Sequence, residues 1–288
     1  MRIGVSPFAS TKAGSLEVAR VAFEGGIDTF WLGEGLLYMD KFKPWSGGQE
    51  PITWLAFLAG RFPGARVGVC ASALPLRDVT WLAKAAATLD QLTEGNFVLA
   101  LAPGNWEHEF AFLGLDFATR GKRFAQALDA LEAAFAGREH HSEVADYPAE
   151  GRLSPKPYNG VAPELWLAGG PPTVKRALKR GWPVQLRLAS PEAVAAQAKD
   201  WYEAGGAPLA LRMPVTIRDD GPSGVIEGLY GWEVAGPAEL VGEILAQYHR
   251  AGIKDLSIIP GQTDEGSLAT VKGLVETAIP HYRSLVQE

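Results

Sequence analysis

Residues 66–102 read R-V-G-V-C-A-S-A-L-P-L-R-D-V-T-W-L-A-K-A-A-A-T-L-D-Q-L-T-E-G-N-F-V-L-A-L-A. The stretch opens and closes with an apolar run, 66–72 and 96–102, as expected for strands that are covered on both faces. Between the runs, a helical pattern extends from about Arg77 to Leu92. A strand, a helix and a second strand in this order indicate a βαβ unit with parallel strands.

The same unit recurs along the whole chain. Strands are predicted at 2–6, 28–33, 66–72, 96–102, 164–168, 183–188, 208–217 and 254–259. Helices are predicted near 15–25 with Ser15 as N-cap, 51–60 with Pro51 in the first turn, 77–92, 120–136, 172–180, from Ser190 onwards, 237–251 and 267–285. This repetition predicts an α/β fold, a (β/α)8 TIM barrel that forms a single domain over residues 1–288. The alternative is a doubly wound sheet, but the first strand is not followed by G-x-G-x-x-G.

Two connections are too long to be simple turns. Residues 137–163 are predicted to be an insertion at the amino-terminal end of the barrel. Residues 218–236 are predicted to be a long loop at the carboxyl-terminal end. With five glycines and the aromatic residues Tyr230 and Trp232, the second segment has the composition of a lid.

Composition excludes several classes of protein. The chain is 47% hydrophobic and 21% charged, so it can bury a large core. Its net charge is −6 and its basic residues are scattered, which is not typical of nucleic-acid binding. The only cysteine, Cys70, lies in an apolar run and is interpreted as a buried small side chain rather than a nucleophile. With no signal peptide or membrane span in the sequence, we expect a soluble cytoplasmic protein.

Active sites of (β/α)8 barrels lie in the loops after the strands. After the fourth strand, residues 103–109 read P-G-N-W-E-H-E. Adjacent residues of a helix point about 100° apart, so Glu107, His108 and Glu109 are not expected to bind one metal ion. They fit a helix start instead, with Asn105 as N-cap and two glutamates at the positive end of the helix dipole.

Two further strand ends carry candidate site residues. Gly169, Gly170 and Thr173 follow the fifth strand and open a helix, which suits either a phosphate-binding turn or an ordinary strand-to-helix connection. Glu34 follows the second strand, where it could act as a general base or pair with a neighbouring arginine. Ser72 ends the third strand and could supply a hydroxyl group.

Three stretches carry a resemblance to a known family. Residues 65–104 are similar in pattern to the third strand, helix and fourth strand of the luciferase-like monooxygenase family. The following N-W-E-H-E-F-A-F-L-G, with Arg120 and Arg123, resembles that family's next segment. P-E-L-W-L-A-G-G-P-P-T at 163–173 resembles its phosphate-receiving turn. Members of the family are (β/α)8 barrels that bind FMN or the deazaflavin coenzyme F420.

The resemblance implies roles for particular residues. It implies cofactor contacts from three segments, Ser72 and Ala73, then Pro103, Gly104 and Asn105, then Gly169, Gly170 and Thr173. It also implies that Ser72-Ala73 forms a bulge behind the cofactor ring, where family members often carry a cis non-prolyl peptide. Glu34 and Trp106 are the catalytic candidates, and a homodimer is possible. Basic candidates for a polyanionic cofactor tail are Lys41, Lys43, Arg77 and Arg212.

The chain also departs from the family pattern. Gly35 stands where many members carry a catalytic histidine, and Pro103 where bacterial luciferases carry an arginine. Asn105 stands where some F420 enzymes carry an acid. The expectation is therefore an oxidoreductase that acts on a small organic substrate, by monooxygenation with FMN or by hydride transfer with F420. The alternative is a cofactor-binding barrel without turnover of its own.

Overall fold

The computed structural model of the chain describes residues 1–37, 48–139, 151–228 and 231–287. Its strands are β1 Arg2–Val5, β2 Thr29–Leu32, β3 Arg66–Ala73, β4 Phe97–Ala102, β5 Glu164–Ala168, β6 Val184–Arg187, β7 Leu209–Ile217, β8 Gly224–Gly228, β9 Gly231–Gly236 and β10 Ile253–Ile259. Its α-helices are α1 Lys12–Glu24, α2 Pro51–Arg61, α3 Val79–Leu92, α4 Glu107–Phe112, α5 Arg120–Phe135, α6 Pro171–Arg180, α7 Pro191–Glu203, α8 Ala238–Arg250, α9 Asp264–Gly273 and α10 Ile279–Val286.

The strands form a closed ring. They follow one another in the order β10-β1-β2-β3-β4-β5-β6-β7, and β10 also pairs with β7. The pairs β1–β10, β3–β4 and β6–β7 are parallel, and helices connect most successive strands of the ring. The fold is therefore a (β/α)8 barrel, as the sequence predicts.

Contacts group the described chain into two compact units, each built around part of this ring. The first contains Met1–Trp31 and Lys175–Glu288. On its strand β1, Gly4 leaves room for an indole, because a Cβ at this position would lie 2.4 Å from Trp31 Nε1. Trp31 is fully buried, and its indole occupies the space that a side chain at position 4 would need.

The second unit contains Leu32–Leu37 and Gln49–Val174. Pro51 is at the start of α2, as predicted, and the Glu50 side chain caps that helix by accepting a hydrogen bond from the Thr53 N–H. Asp78 caps α3 in the same way. These caps satisfy donors that a helix leaves free at its start, so the local sequence determines where both helices begin.

Two sequence-based predictions about the elements are wrong, and one helix has slightly different bounds. Helix α1 begins at Lys12 and is capped by Thr11, so Ser15 is inside the helix. The last helix, predicted near 267–285, is present from Asp264 to Val286 as α9, a π-helical turn and α10. In place of the loop at 218–236, strands β8 and β9 form an antiparallel hairpin, with β9 parallel to β7. Of the two lid aromatics, Trp232 is half exposed, and Tyr230 lies outside the described residues.

Part of the predicted insertion at 137–163 is described. Residues 140–150 lie outside the described ranges, whereas 151–163 include a short 3-10 turn, Tyr158–Gly160. The Asp90 carboxylate accepts a hydrogen bond from the Tyr158 N–H at 2.8 Å. The side chains of Lys84 and Gln91 donate to the carbonyls of Ser154 and Lys156. Helix α3 therefore holds this segment before β5.

None of the helices in the described ranges has the length and apolarity needed to cross a membrane. The boundary of a single domain over 1–288 stays a prediction, because the grouping of contacts into two units does not test it.

Candidate cofactor site

The predicted cofactor residues follow three neighbouring strands of the second unit. In the β3–β4 pairing, Ala73 is opposite Ala102, and in the β4–β5 pairing Leu101 is opposite Leu167. The strands therefore end at nearly the same level. The residues at or after these ends are Ser72, Ala73, Pro103, Gly104, Asn105, Gly169, Gly170 and Thr173. The fold brings these segments to one edge of the sheet, and most of the side chains there are small.

The irregularity in β3 lies earlier than predicted. The β3–β4 register shifts between Val69 and Ser72, and the cis non-prolyl peptide joins Cys70 to Ala71. The cis peptide bond therefore lies two residues before the predicted position, Ser72-Ala73. Regular pairing with β4 resumes at Ser72. Cys70 itself is buried, in agreement with its interpretation as a small core side chain.

Ser72 ends the bulge with a hydroxyl group that is buried among the described residues. Its side chain is 1% exposed, and Oγ makes no hydrogen bond within the described part of the chain. Leaving a buried hydroxyl unpaired is unfavourable. A polar atom of a ligand at this edge would satisfy it, so Ser72 fits a cofactor contact.

Gly104 is the position where the β4 edge requires glycine. Its φ of +78° is in the left-handed region, and a Cβ would lie 2.8 Å from Phe110 Cε2 and 3.6 Å from Ala73 Cβ. The backbone of β4 thus passes closely between α4 and the end of β3. A residue larger than glycine would therefore collide with Phe110 at this point.

Helix α4 begins differently from the prediction. Trp106, not Asn105, is the N-cap residue, and no side chain caps the helix. Asn105 is exposed just before it. Glu107 and Glu109 do lie in the first turn, as predicted. The half-buried Trp106 ring stacks against His108, with ring centroids 6.0 Å apart.

Glu109 has a contact that the sequence does not predict. Its side chain is buried, and Oε1 accepts hydrogen bonds from the N–H groups of Leu36 at 2.7 Å and Leu37 at 3.3 Å. These partners are 73 and 72 residues away in the chain. The only signal in the sequence is local: Glu109 is followed by an apolar residue, Phe110, whereas Glu107 is followed by His108.

Glu34 lies in a charged network, as one of its two sequence-based interpretations predicts. Its Oε2 accepts a hydrogen bond from the Ala73 N–H at 2.9 Å, and its Oε1 forms an ion pair with Arg77. The Arg77 guanidinium also contacts Glu50 Oε1 at 2.8 Å. Both oxygens of Glu34 thus have partners, and the network fixes the backbone at the end of β3.

The charges of this network influence one another. Burial disfavours the charge on Arg77, but the carboxylates of Glu34 and Glu50 outweigh it and raise the pKa of Arg77. Burial likewise opposes ionisation of Glu50, but its bonds with Thr53 and Arg77 prevail and lower the pKa of Glu50. Both carboxylate oxygens of Glu34 already accept bonds, one from the Ala73 N–H and the other from the Arg77 guanidinium. The geometry therefore favours a positioning role for Glu34 over that of a general base.

The turn after β5 offers few donors. Pro171 and Pro172 have no N–H, and the Thr173 N–H donates to the Gly170 carbonyl at 2.9 Å. A Cβ on Gly169 would lie 2.7 Å from Thr173 Oγ1, so the glycine lets this hydroxyl approach the backbone. The donors left for a phosphate group are the N–H groups of Gly169 and Gly170 and the Thr173 hydroxyl. These three donors can bind a phosphate group, but a helix start without prolines would offer it more N–H groups.

For the remaining basic candidates the structure gives no contact with this edge among the residues it describes. Arg212 is in the first unit, where Nη1 donates to Ser257 Oγ at 2.9 Å. Lys41 and Lys43 lie outside the described residues. In the part of the chain that the structure describes, no group of three or more metal-binding side chains is found.

The chain is thus a (β/α)8 barrel in which small residues at and after the ends of β3, β4 and β5 lie along one edge. The model of the luciferase-like monooxygenase family matches residues 5–220. The chain belongs to that family, as the resemblance in its sequence implies.

A curated relative agrees with this assignment, and two solved structures share the fold. A phthiodiolone/phenolphthiodiolone dimycocerosates ketoreductase of Mycobacterium kansasii is 31% identical over 232 residues, 70% of this chain and 60% of the relative. The oxygenating constituent of 3,6-diketocamphane monooxygenase from Pseudomonas putida, solved with FMN, superposes with a TM-score of 0.73 at 15% identity, covering 97% and 98% of the two chains. An F420-dependent secondary alcohol dehydrogenase gives 0.79 at 17% identity, covering 98% and 99%.

Proposed function

We propose that the chain is an oxidoreductase that holds FMN or coenzyme F420 at the carboxyl ends of β3, β4 and β5 and uses it on a small organic substrate. The observation that carries the proposal is the joint edge of Ser72–Ala73, Gly104 and Gly169–Gly170, where three neighbouring strands end at nearly the same level. The cofactor supplies the redox chemistry: oxygen activation if it is FMN, hydride transfer if it is F420.

The residues of the second unit then have distinct tasks. Ser72 would donate its unpaired hydroxyl to the ring, and Ala73 and Gly104 would give it a flat surface. Glu34 holds the Ala73 N–H in place and is proposed as a positioning residue. Trp106 is proposed to contact the ring or the substrate and to exclude water.

The phosphate end is proposed to lie at the turn after β5. Gly169 and Gly170 would donate their N–H groups, and Thr173 its hydroxyl. The alternative of a barrel without turnover is not favoured, because the chain belongs to a family of monooxygenases and its 31% identical relative is a ketoreductase. The single cysteine agrees with a cytoplasmic location, which stays part of the proposal. A homodimer is also part of the proposal, and a measurement of the molecular mass in solution would test it.

The test is a titration of the purified chain with FMN and, separately, with F420. We expect one of them to bind and, at about 100 times its dissociation constant, to add about 2.7 kcal/mol to the free energy of unfolding. Thr173→Val, which removes the hydroxyl, should weaken the binding of that cofactor about tenfold. This is roughly the effect of losing one hydrogen bond to a charged group. Thr88→Val, at an exposed position of α3, is the matched control. Failure of both cofactors to bind would overturn the proposal.

A further inference from the structure

Glu109 differs from its neighbour Glu107 in a way that helix electrostatics does not explain. Both carboxylates lie in the first turn of α4, where either suits the helix dipole. Glu107 is exposed, whereas Glu109 is 5% exposed. Burying a carboxylate is unfavourable unless hydrogen bonds compensate. Here the N–H groups of Leu36 and Leu37 provide that compensation.

The segment that Glu109 holds begins the connection between β2 and α2. Two further contacts fix the same connection: Glu34, at its start, pairs with Arg77, and Glu50, at its end, pairs with the same guanidinium. Leu36 is half exposed at the carboxyl end of β2. In (β/α)8 barrels this is the end where loops contact substrates.

Helix α4 also contacts the proposed cofactor surface. Phe110, next to Glu109, is the residue against which Gly104 packs. Phe110 is fully buried and makes an edge contact with Phe117, with ring centroids 5.2 Å apart. One short helix therefore contacts the β4 edge through Phe110 and the β2 connection through Glu109.

We infer that Glu109 is a positioning residue that couples the cofactor surface at Gly104 to the start of the β2–α2 connection at Leu36–Leu37. The inference rests on the proposed function for the identity of the ligand, but the hydrogen bonds themselves do not depend on it. A cofactor that orders the backbone at Gly104 restrains Phe110, and Glu109 passes this restraint to two amides. Glu109 thereby sets where the connection stands relative to the cofactor.

Hydrogen exchange of the Leu36 and Leu37 amides tests the inference on the full chain. In the apo protein, Glu109→Ala should speed their exchange at least tenfold, because both amides lose their acceptor. Glu109→Gln keeps an oxygen acceptor and should stay within about threefold of the parent chain. Glu107→Ala, which removes a first-turn charge without removing a buried acceptor, is the matched control and should have no effect on these amides.

The coupling is tested by adding FMN or F420, whichever the titration identifies. Protection of both amides should rise at least threefold in the parent chain and in Glu107→Ala, and should not rise in Glu109→Ala. If Glu109 had a purely structural role, Glu109→Ala would change the exchange rate of the two amides, but adding the cofactor would still raise their protection. If Glu109→Ala does not fold, Glu109→Asp, with its shorter reach, carries the same expectation.

The outcomes separate the two proposals. Unchanged exchange in apo Glu109→Ala would overturn the anchor, and an undiminished response to cofactor in that variant would overturn the coupling. If the parent chain binds neither cofactor, the proposed function fails. If it binds one and its own two amides gain no protection, the coupling fails while the proposed function stands.

Discussion

The two edges of strands β3–β5 differ in which parts of the chain their polar contacts join. At the amino-terminal edge, the contacts join residues of the strands themselves: Arg66 pairs with Glu164 at 2.8 Å, and the Trp166 indole N–H donates to the same carboxylate at 2.8 Å. At the carboxyl-terminal edge, the contacts join the segments after the strands: Glu34 accepts a hydrogen bond from the Ala73 N–H and pairs with Arg77, and Glu109 accepts one from the Leu36 N–H.

The difference shows how one sheet can be tied at one end within its strands and at the other through its loops. At the carboxyl-terminal edge, carboxylates that bind backbone N–H groups hold the segments after the strands in place, next to the small residues Ala73 and Gly104. The proposed cofactor site lies at this edge, where the active sites of (β/α)8 barrels lie.

The largest effect is expected at Gly104. Gly104→Ala should lower the free energy of unfolding by about 2–5 kcal/mol, since alanine is disfavoured at positive φ and its methyl would collide with Phe110. Gly114→Ala, with φ +69° and open space around it, carries only the backbone penalty of about 1–2 kcal/mol. Urea unfolding measures both. Equal losses would show that the close approach at Gly104 is unimportant.

The next effect compares the two edges directly. Arg66→Met and Arg77→Met should each lose about 1–3 kcal/mol of stability, because each leaves a carboxylate without its cation. Only Arg77→Met should also weaken the binding of FMN or F420, because Glu34 then holds the Ala73 backbone less firmly. Denaturant titration and cofactor binding, measured on the same samples, decide this. Equal weakening of binding in both variants would remove the distinction between the edges.

A smaller effect is expected at the turn after β5. Gly170→Ala should leave stability nearly unchanged, because a Cβ there meets nothing within 4 Å. The same methyl would stand beside the proposed phosphate position, so cofactor affinity should fall about tenfold, or about 1.4 kcal/mol. Calorimetry of binding and a melting curve of the apo variant measure the two quantities. Unaltered affinity would place the phosphate elsewhere.

The smallest effect concerns pH and the amino-terminal edge. Burial raises the pKa of Asp90, although the Tyr158 N–H opposes the rise. A carboxyl whose pKa is higher in the folded state contributes stability below its unfolded pKa of about 3.9 and loses that contribution as pH rises through the folded value. Asp90→Asn should therefore gain stability relative to the parent chain, by about 1 kcal/mol or less, between about pH 4 and pH 7.

Urea midpoints across that range, with Asp129→Asn on α5 as a control, test the sign. A pH-independent difference between Asp90→Asn and the parent chain would contradict the burial effect. Cofactor affinity should not respond to Asp90→Asn at any pH, because Asp90 lies at the edge away from the proposed site.

The order of strands and helices could be read from the sequence because its signals are local. Pro51 and Ser190 start helices where their residue types predict. The hairpin of β8 and β9 was missed, although V-I-E-G and G-W-E-V at 225–228 and 231–234 are short runs of strand type. The glycines around them favoured a loop interpretation.

The site could be predicted only in part. Segments after neighbouring parallel strands must meet, so Ser72, Gly104 and Gly169 could be grouped without coordinates. The partners of Glu109 and Glu34 depend on side-chain direction across a sequence separation of tens of residues, which periodicity does not encode. Asn105 has the residue type of an N-cap, but the chain turns one residue later, and Trp106 takes that position.

The bridging of Glu34 and Glu50 by Arg77 has a consequence for how this chain can change. The two glutamates flank the β2–α2 connection, and one guanidinium keeps its ends together. Closing a longer loop between fixed ends is inexpensive, about 0.6 kcal/mol for each doubling of length. Insertions and deletions between the two glutamates can therefore accumulate over evolution while the strands keep their register, because the ends of the connection are held independently of its length.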